Sequence, residues 1–181
     1  MFNKNPDHII PYGRQQICEN DIAKVTEVLK SDFLTQGPVV EKFENEFANY
    51  VGSKYAVAVN NATSGLHLSV LALGLKKGDR VITSPITFAA SANCIRYVGA
   101  EVWFADINPE TYLIDINSVK DLIESKPKNF FKGIITVDFA GLPVNLEEFK
   151  ILADLHSLWM IEDACHAPGG YFIDSKLRKQ M

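Results

Sequence analysis

The chain has 181 residues, 47% hydrophobic and 22% charged, with a formal net charge of −4. This is the composition of a folded globular protein, and it gives no electrostatic reason to expect nucleic acid or an anionic membrane as partner. No stretch approaches the roughly 20 apolar residues of a membrane-spanning helix, and the opening MFNKNPDHII lacks the apolar core of a secretory signal.

The pattern alternates along the chain. ENDIAKVTEVLKSDF places Ile22, Val25, Val28 and Leu29 at helical spacing. GPVVEKFENEFANYVG sets Pro38 near a helix start, Val40, Phe43 and Phe47 on one face, and Gly52 at the exit. KYAVAVN reads as a short strand, and Thr63 or Ser64 as the cap of a helix ending at Gly74. DRVITSP is a strand and TFAASANCIRYVG a helix; AEVWFADI is a strand ending at Asp106. A helix capped at Asn117, a strand KGIITVDF ending at Asp138, the helix NLEEFKILADLHS and the strand LWMIEDA complete the series. Near-continuous apolar strands separated by helices of about ten residues imply βαβ units around a mostly parallel sheet covered on both faces.

In such sheets ligands bind outside the carboxyl ends of the strands. The polar residues there are Asn60 to Ser64, Ser84 with Thr87 and Phe88, Asp106, Asp138, and Asp163 with His166. Most of them are expected to converge on one cleft. NNATSGLH joins a strand to a helix, where backbone N–H groups and two hydroxyls can hold a phosphate. It has neither the phosphate loop of nucleotide triphosphatases nor the glycine fingerprint of dinucleotide sites. Cys18, Cys94 and Cys165 are scattered and lack a C-x-x-C pair, which fits a reducing cytoplasm better than a disulfide framework or a zinc site. Cys165 itself reads as a small buried filler.

GRQQICENDI, the long run from SDFLTQGP to ANCI, and IEDACHAPGG together resemble the pyridoxal-phosphate-dependent nucleotide-sugar aminotransferases of the DegT/StrS type. The resemblance spans Ile10 to Ile173, with the motifs in family order. It implies a three-layer α/β/α fold with a mostly parallel sheet, residues 1–181 being the N-terminal part of the large cofactor-binding domain of the fold type I transferases. Within the family, PYGRQQICENDI and TFAASANCIRYVGA are most similar to the transaminase of pseudaminic acid biosynthesis.

By that resemblance Thr63 and Ser64 hold the phosphate of pyridoxal 5′-phosphate and Phe88 stacks on its ring. Asp163 pairs with the ring nitrogen, and His166 lies near the ring and its phenolic oxygen. Thr35 falls in a loop near the family's active site and receives no role. The physical reason for an acid at the end of LWMIEDA is then clear. The cofactor draws electrons from a reacting carbon only while its ring nitrogen keeps a proton. A neighbouring opposite charge shifts a pKa by about 1–3 units toward the charged form, each unit worth about 1.4 kcal/mol.

The implied reaction moves an amino group from an amino acid, glutamate in the first instance, to C4 of a UDP-linked 4-keto-6-deoxy-N-acetylhexosamine, in a cytoplasmic homodimer with its sites at the subunit interface. One departure is large. The family's Schiff-base lysine lies beyond the acid motif in a Ser-Phe-x-x-x-Lys setting, and the chain reaches Met181 without it. Lys176 and Lys179 read as solvent-exposed charges. The expectation is an N-terminal portion of such an enzyme, inactive alone, with an uncovered sheet edge and exposed apolar helix faces. The alternative is a non-catalytic module that binds the cofactor or a nucleotide sugar.

Overall fold

The computed structural model describes residues 15–180, so MFNKNPDHII and the first residues of PYGRQQICENDI lie outside the described residues. Two helices come first. α1 (Glu19–Leu29) begins where the Asp21 carboxylate accepts the Cys18 N–H at 2.8 Å. α2 (Pro38–Val51) starts on a proline whose missing N–H costs nothing at that position, and it stops at Gly52 in the left-handed conformation.

Four αβ steps follow. They comprise α3 (Ala62–Ala72), β1 (Arg80–Thr83), α4 (Ala90–Tyr97), β2 (Glu101–Phe104), α5 (Ile116–Glu124), β3 (Gly133–Val137), α6 (Leu146–His156) and β4 (Trp159–Asp163). The four strands pair in the order β2-β1-β3-β4, all parallel, with Ile82 opposite Ile134 and Val137 opposite Asp163. A short antiparallel hairpin, β5 (Phe172–Ile173) with β6 (Lys179–Gln180), stands apart from the sheet. Glu147 of α6 anchors its turn by accepting from both the backbone N–H and the hydroxyl of Ser175, at 2.7 and 2.6 Å. Among the described residues, no helix is long and apolar enough to cross a membrane.

Alternation along each strand divides the core into two layers. On one face Ile82 and Ile134 pack with Val119 and Ile123 of α5 and Phe149 and Leu152 of α6. On the other, Val81 and Ile135 pack with Leu66 and Val70 of α3 and Cys94 and Ile95 of α4. Every residue of β3 is buried, as a strand covered on both faces requires. The three-layer α/β/α arrangement expected from the alternating pattern is therefore present.

Three local expectations change. KYAVAVN is not a strand: Tyr55 is 74% and Val57 78% exposed, and no ladder bonds join it to the four-stranded sheet. Its β-branched residues favour extended backbone, but a strand exists only through a neighbour's N–H and C=O groups. The cap of α3 is Asn61, whose side-chain oxygen accepts the Ser64 N–H at 2.8 Å, rather than Thr63 or Ser64. The cap of α5 is Asp115, which accepts from the N–H groups of Asn117 and Ser118, so Asn117 lies inside the first turn.

The expected apolar helix faces are found. Ile22, Val25 and Leu29 of α1 and Val40, Phe43 and Phe47 of α2 are all exposed. Phe43 and Phe47, one helical turn apart, stack at 5.9 Å. Both β2 and β4 are edge strands, each with a neighbour on one side and no strand among the described residues on the other.

Candidate cofactor site

The carboxyl ends of β1, β3 and β4 and the start of α3 open on one cavity of about 650 Å³. Its wall includes Thr63, Thr87, Phe88, Asp138, Asp163 and His166. Each strand stops where its core pattern meets a polar residue, and the parallel arrangement brings those stops to one side of the sheet. Ser64, next to Thr63 in the first turn of α3, is not part of the wall. Two other strand-end candidates are used locally. Asp106 accepts the N–H of Ile107, and the buried Ser84 hydroxyl bonds to the backbone of Ile86. Thr35 lies in an exposed loop and is not part of the wall.

The two ends of the cavity differ in character. At the α3 end, the cap by Asn61 leaves the first-turn hydroxyls of Thr63 and Ser64 free of capping duty, beside N–H groups that no helical carbonyl satisfies. Such a helix start favours an anion. At the β4 end, Asp163 is 6% exposed. Its Oδ2 accepts the Ser91 hydroxyl at 2.6 Å, and the Cys165 N–H lies 3.4 Å from Oδ1. No lysine or arginine lines the cavity among the described residues. A buried carboxylate costs several kcal/mol unless a cation offsets it.

Phe88 is also part of the wall, 76% exposed in the loop after β1. A core phenylalanine would be enclosed, and this one is instead open at the cavity wall. Cys165 corrects the expectation of a buried filler, because it is exposed and forms part of the wall. Partial enclosure, and then its hydrogen bond to Asp163, push its thiol up to about 11, so it is not a thiolate near neutrality. Lys176 and Lys179 lie outside the wall; Lys179 sits over the Tyr171 ring at 4.2 Å.

Asp138 and Glu162 form a second acidic feature. Asp138 ends β3, is buried, and accepts the Val144 N–H at 3.0 Å. Glu162, one residue before Asp163, takes the opposite sheet face and shares with Asp138 a second cavity of about 330 Å³. Burial first, then the hydrogen bond and charge of Asp138, push Glu162 up to about 7, although part of its side chain reaches solvent. Burial likewise raises Asp138. A carboxyl raised above its ordinary 4.5 holds a proton in the folded chain that the unfolded chain has released. Stability therefore falls as pH climbs from 4.5 through about 7. Urea midpoints are expected to drop between about pH 5 and about pH 8, and Glu162→Gln is expected to flatten that drop. An equally steep fall in the variant would assign it to another group.

The arrangement defines a class: a doubly covered parallel sheet with a helix start, an exposed aromatic and a buried carboxylate at one strand-end cavity. The chain belongs to the DegT/DnrJ/EryC1/StrS aminotransferase family, whose sequence pattern matches residues 15–178. It is 42% identical over 161 residues to the spore coat polysaccharide biosynthesis protein SpsC of Bacillus subtilis, covering 89% of this chain and 40% of SpsC. Among solved structures it is similar to Helicobacter pylori PseC, an aminotransferase involved in the biosynthesis of pseudoaminic acid. That likeness has a TM-score of 0.80 at 31% identity and covers 91% of this chain and 43% of PseC. A Streptococcus pneumoniae protein, Spr1654, solved in PLP and PMP forms, gives a TM-score of 0.79 at 26% identity for the PLP form, with 90% and 44% covered. The chain thus spans about two fifths of the length of the relatives it matches.

Of the site residues expected from the sequence, Thr63, Phe88, Asp163 and His166 meet at one cavity, and Ser64 is their neighbour on α3. Ser91 and Asp138 were not on that list. Asp138 was visible as a strand end. Ser91 carried only a faint signal, its place one helical turn after Thr87.

Proposed function

We propose that this chain forms the cofactor-binding part of a nucleotide-sugar aminotransferase and that its strand-end cavity holds pyridoxal 5′-phosphate or its amino form. The observation that carries the reading is the carboxylate of Asp163, enclosed in a cavity whose wall has no lysine or arginine among the described residues and whose one imidazole is the exposed His166. A protonated pyridine ring is a flat cation that fits such a place. Thr63, Ser64 and the first-turn N–H groups of α3 suit its phosphate. Phe88 suits one ring face, and His166 the ring's oxygen-bearing edge. When bound, the cofactor supplies an electron sink for amino-group transfer. The chain's own residues bind the phosphate, clamp the ring and keep a proton at its nitrogen.

The likeness to PseC and SpsC supports a sugar as amino acceptor; the proposal takes it to be a UDP-linked keto-sugar of pseudaminic acid biosynthesis, with glutamate as donor. The lysine that joins the cofactor in this family belongs, on this reading, to a segment beyond Met181. Residues 1–181 are then the N-terminal part of the large domain of a cytoplasmic homodimer and are inactive in transamination by themselves. Pyridoxamine 5′-phosphate needs no lysine for binding and is the probe of choice. Calorimetric titration of the chain is expected to show saturable one-to-one binding. Its absence at millimolar ligand would overturn the cofactor assignment.

A further inference from the structure

The Asp163 carboxylate is held by a residue that touches neither end of the cavity's proposed ligand. Ser91, in the first turn of α4, is wholly buried, and its hydroxyl lies 2.6 Å from Asp163 Oδ2. The same hydroxyl lies 2.7 Å from the hydroxyl of Thr87 and 3.3 Å from the carbonyl oxygen of Phe88. A hydroxyl has one proton to give, and an ionised carboxylate can only accept. The short contact to Asp163 is in the range of charge-assisted O–H···O⁻ bonds, so the Ser91 proton goes there and Thr87 donates to Ser91.

We propose that Ser91 is a positioning residue: the chain Thr87 to Ser91 to Asp163 fixes the carboxylate against the cofactor's ring nitrogen and keeps the shared proton on the ring. The inference rests on the cofactor reading above. Two physical effects follow from the one bond. Donation to the carboxylate favours its charged form, so the proton between acid and ring stays on the nitrogen. Because Thr87 and Phe88 are adjacent, the same relay ties the aromatic that faces the ring to the acid at its edge. Ring-face and ring-edge contacts thus move as one unit, although Ser91 and Asp163 are 72 residues apart in sequence.

The test measures pyridoxamine 5′-phosphate affinity, and the pH at which the bound ring loses its pyridinium proton, read from its absorption spectrum. It uses the unsubstituted chain, Ser91→Ala, Ser91→Thr, Asp163→Asn and the double variant. Ser91→Ala is expected to weaken binding about tenfold and to move the ring titration about one pH unit lower. Ser91→Thr, which keeps the hydroxyl, is expected to restore both. In the Asp163→Asn background Ser91→Ala is expected to add nothing, because the group it acts through is gone. Asp138, Cys165 and His166 share the cavity wall in every variant, so differences between variants report on Ser91 and Asp163. The same loss in the Asp163→Asn background, or no rescue by threonine, would mean that Ser91 only packs. No effect of Ser91→Ala beside a large effect of Asp163→Asn would sink this proposal alone. No effect of Asp163→Asn, or no binding by the unsubstituted chain, would sink the cofactor reading and this proposal with it.

Discussion

Asp163→Asn is expected to weaken pyridoxamine 5′-phosphate binding about a hundredfold while leaving the fold intact. The substitution keeps the shape of the side chain and an oxygen that can accept from Ser91; it removes the negative charge and puts an NH2 donor in place of the oxygen that faces the Cys165 N–H. A carboxylate beside a pyridinium favours the protonated ring by about 1–3 pKa units, and each unit corresponds to a factor of ten. The factor is not diluted by solvent, because Asp163 is 6% exposed and its bulk neighbours in the cavity are apolar. Calorimetry gives the affinity, and the spectrum of the bound ring gives its protonation. In an enzyme that carries the remaining segment, transamination is expected to vanish with the charge, since an unprotonated ring is a poor electron sink. Near-unchanged affinity in the asparagine variant would remove Asp163 from the ring nitrogen.

Gly133→Ala is expected to be the most damaging small substitution in the sheet. Gly133 opens β3, in the interior of the sheet, opposite Trp159 of β4. A Cβ added there would land inside the Trp159 indole ring. The ring cannot swing away cheaply, because it is packed against the cluster formed by Leu66, Val81, Cys94 and Ile135. Overpacking of this kind costs about 1–3 kcal/mol, a large share of the 5–15 kcal/mol typical of a whole domain. The expected readout is a lower urea midpoint with an unchanged slope. Gly133→Ala combined with Trp159→Leu is expected to recover part of the loss, since the clash would be relieved at the expense of a cavity. A double variant less stable than either single one would show that the strain lies in the backbone rather than against the indole.

Both expectations rest on β4, and β4 shows how far a sequence reaches. WMIED is an apolar run with an abrupt acidic stop, and local pattern alone marks it as a buried strand with chemistry at its end. The four paired strands, the six helices and the clustering of Thr63, Phe88, Asp163 and His166 were legible for the same reason. Hydrophobic periodicity is a property of neighbouring residues, and parallel βα steps deliver every strand end to one side. KYAVAVN was misleading because strand propensity is local while strand formation needs a partner. The caps at Asn61 and Asp115 shifted by a few residues because several polar side chains near each helix start compete for the same N–H groups.

Only the tertiary structure decided how the ends of the site are supported. Nothing within ten residues of Asp163 announces that a serine 72 positions earlier donates to it. Nor does local pattern tell that Cys165 lines the cavity, that Ser64 does not, or that Phe88 stands open rather than in the core. These are outcomes of how α3 and α4 pack on β1, β3 and β4. Such long-range contacts are set by the shapes of two packed surfaces, which no single stretch of sequence contains. The sequence by itself determined the alternation of strands and helices and the chemical types waiting at the strand ends. The packing of α4 against the sheet decided which of those groups meet, at what distance, and in what state of burial.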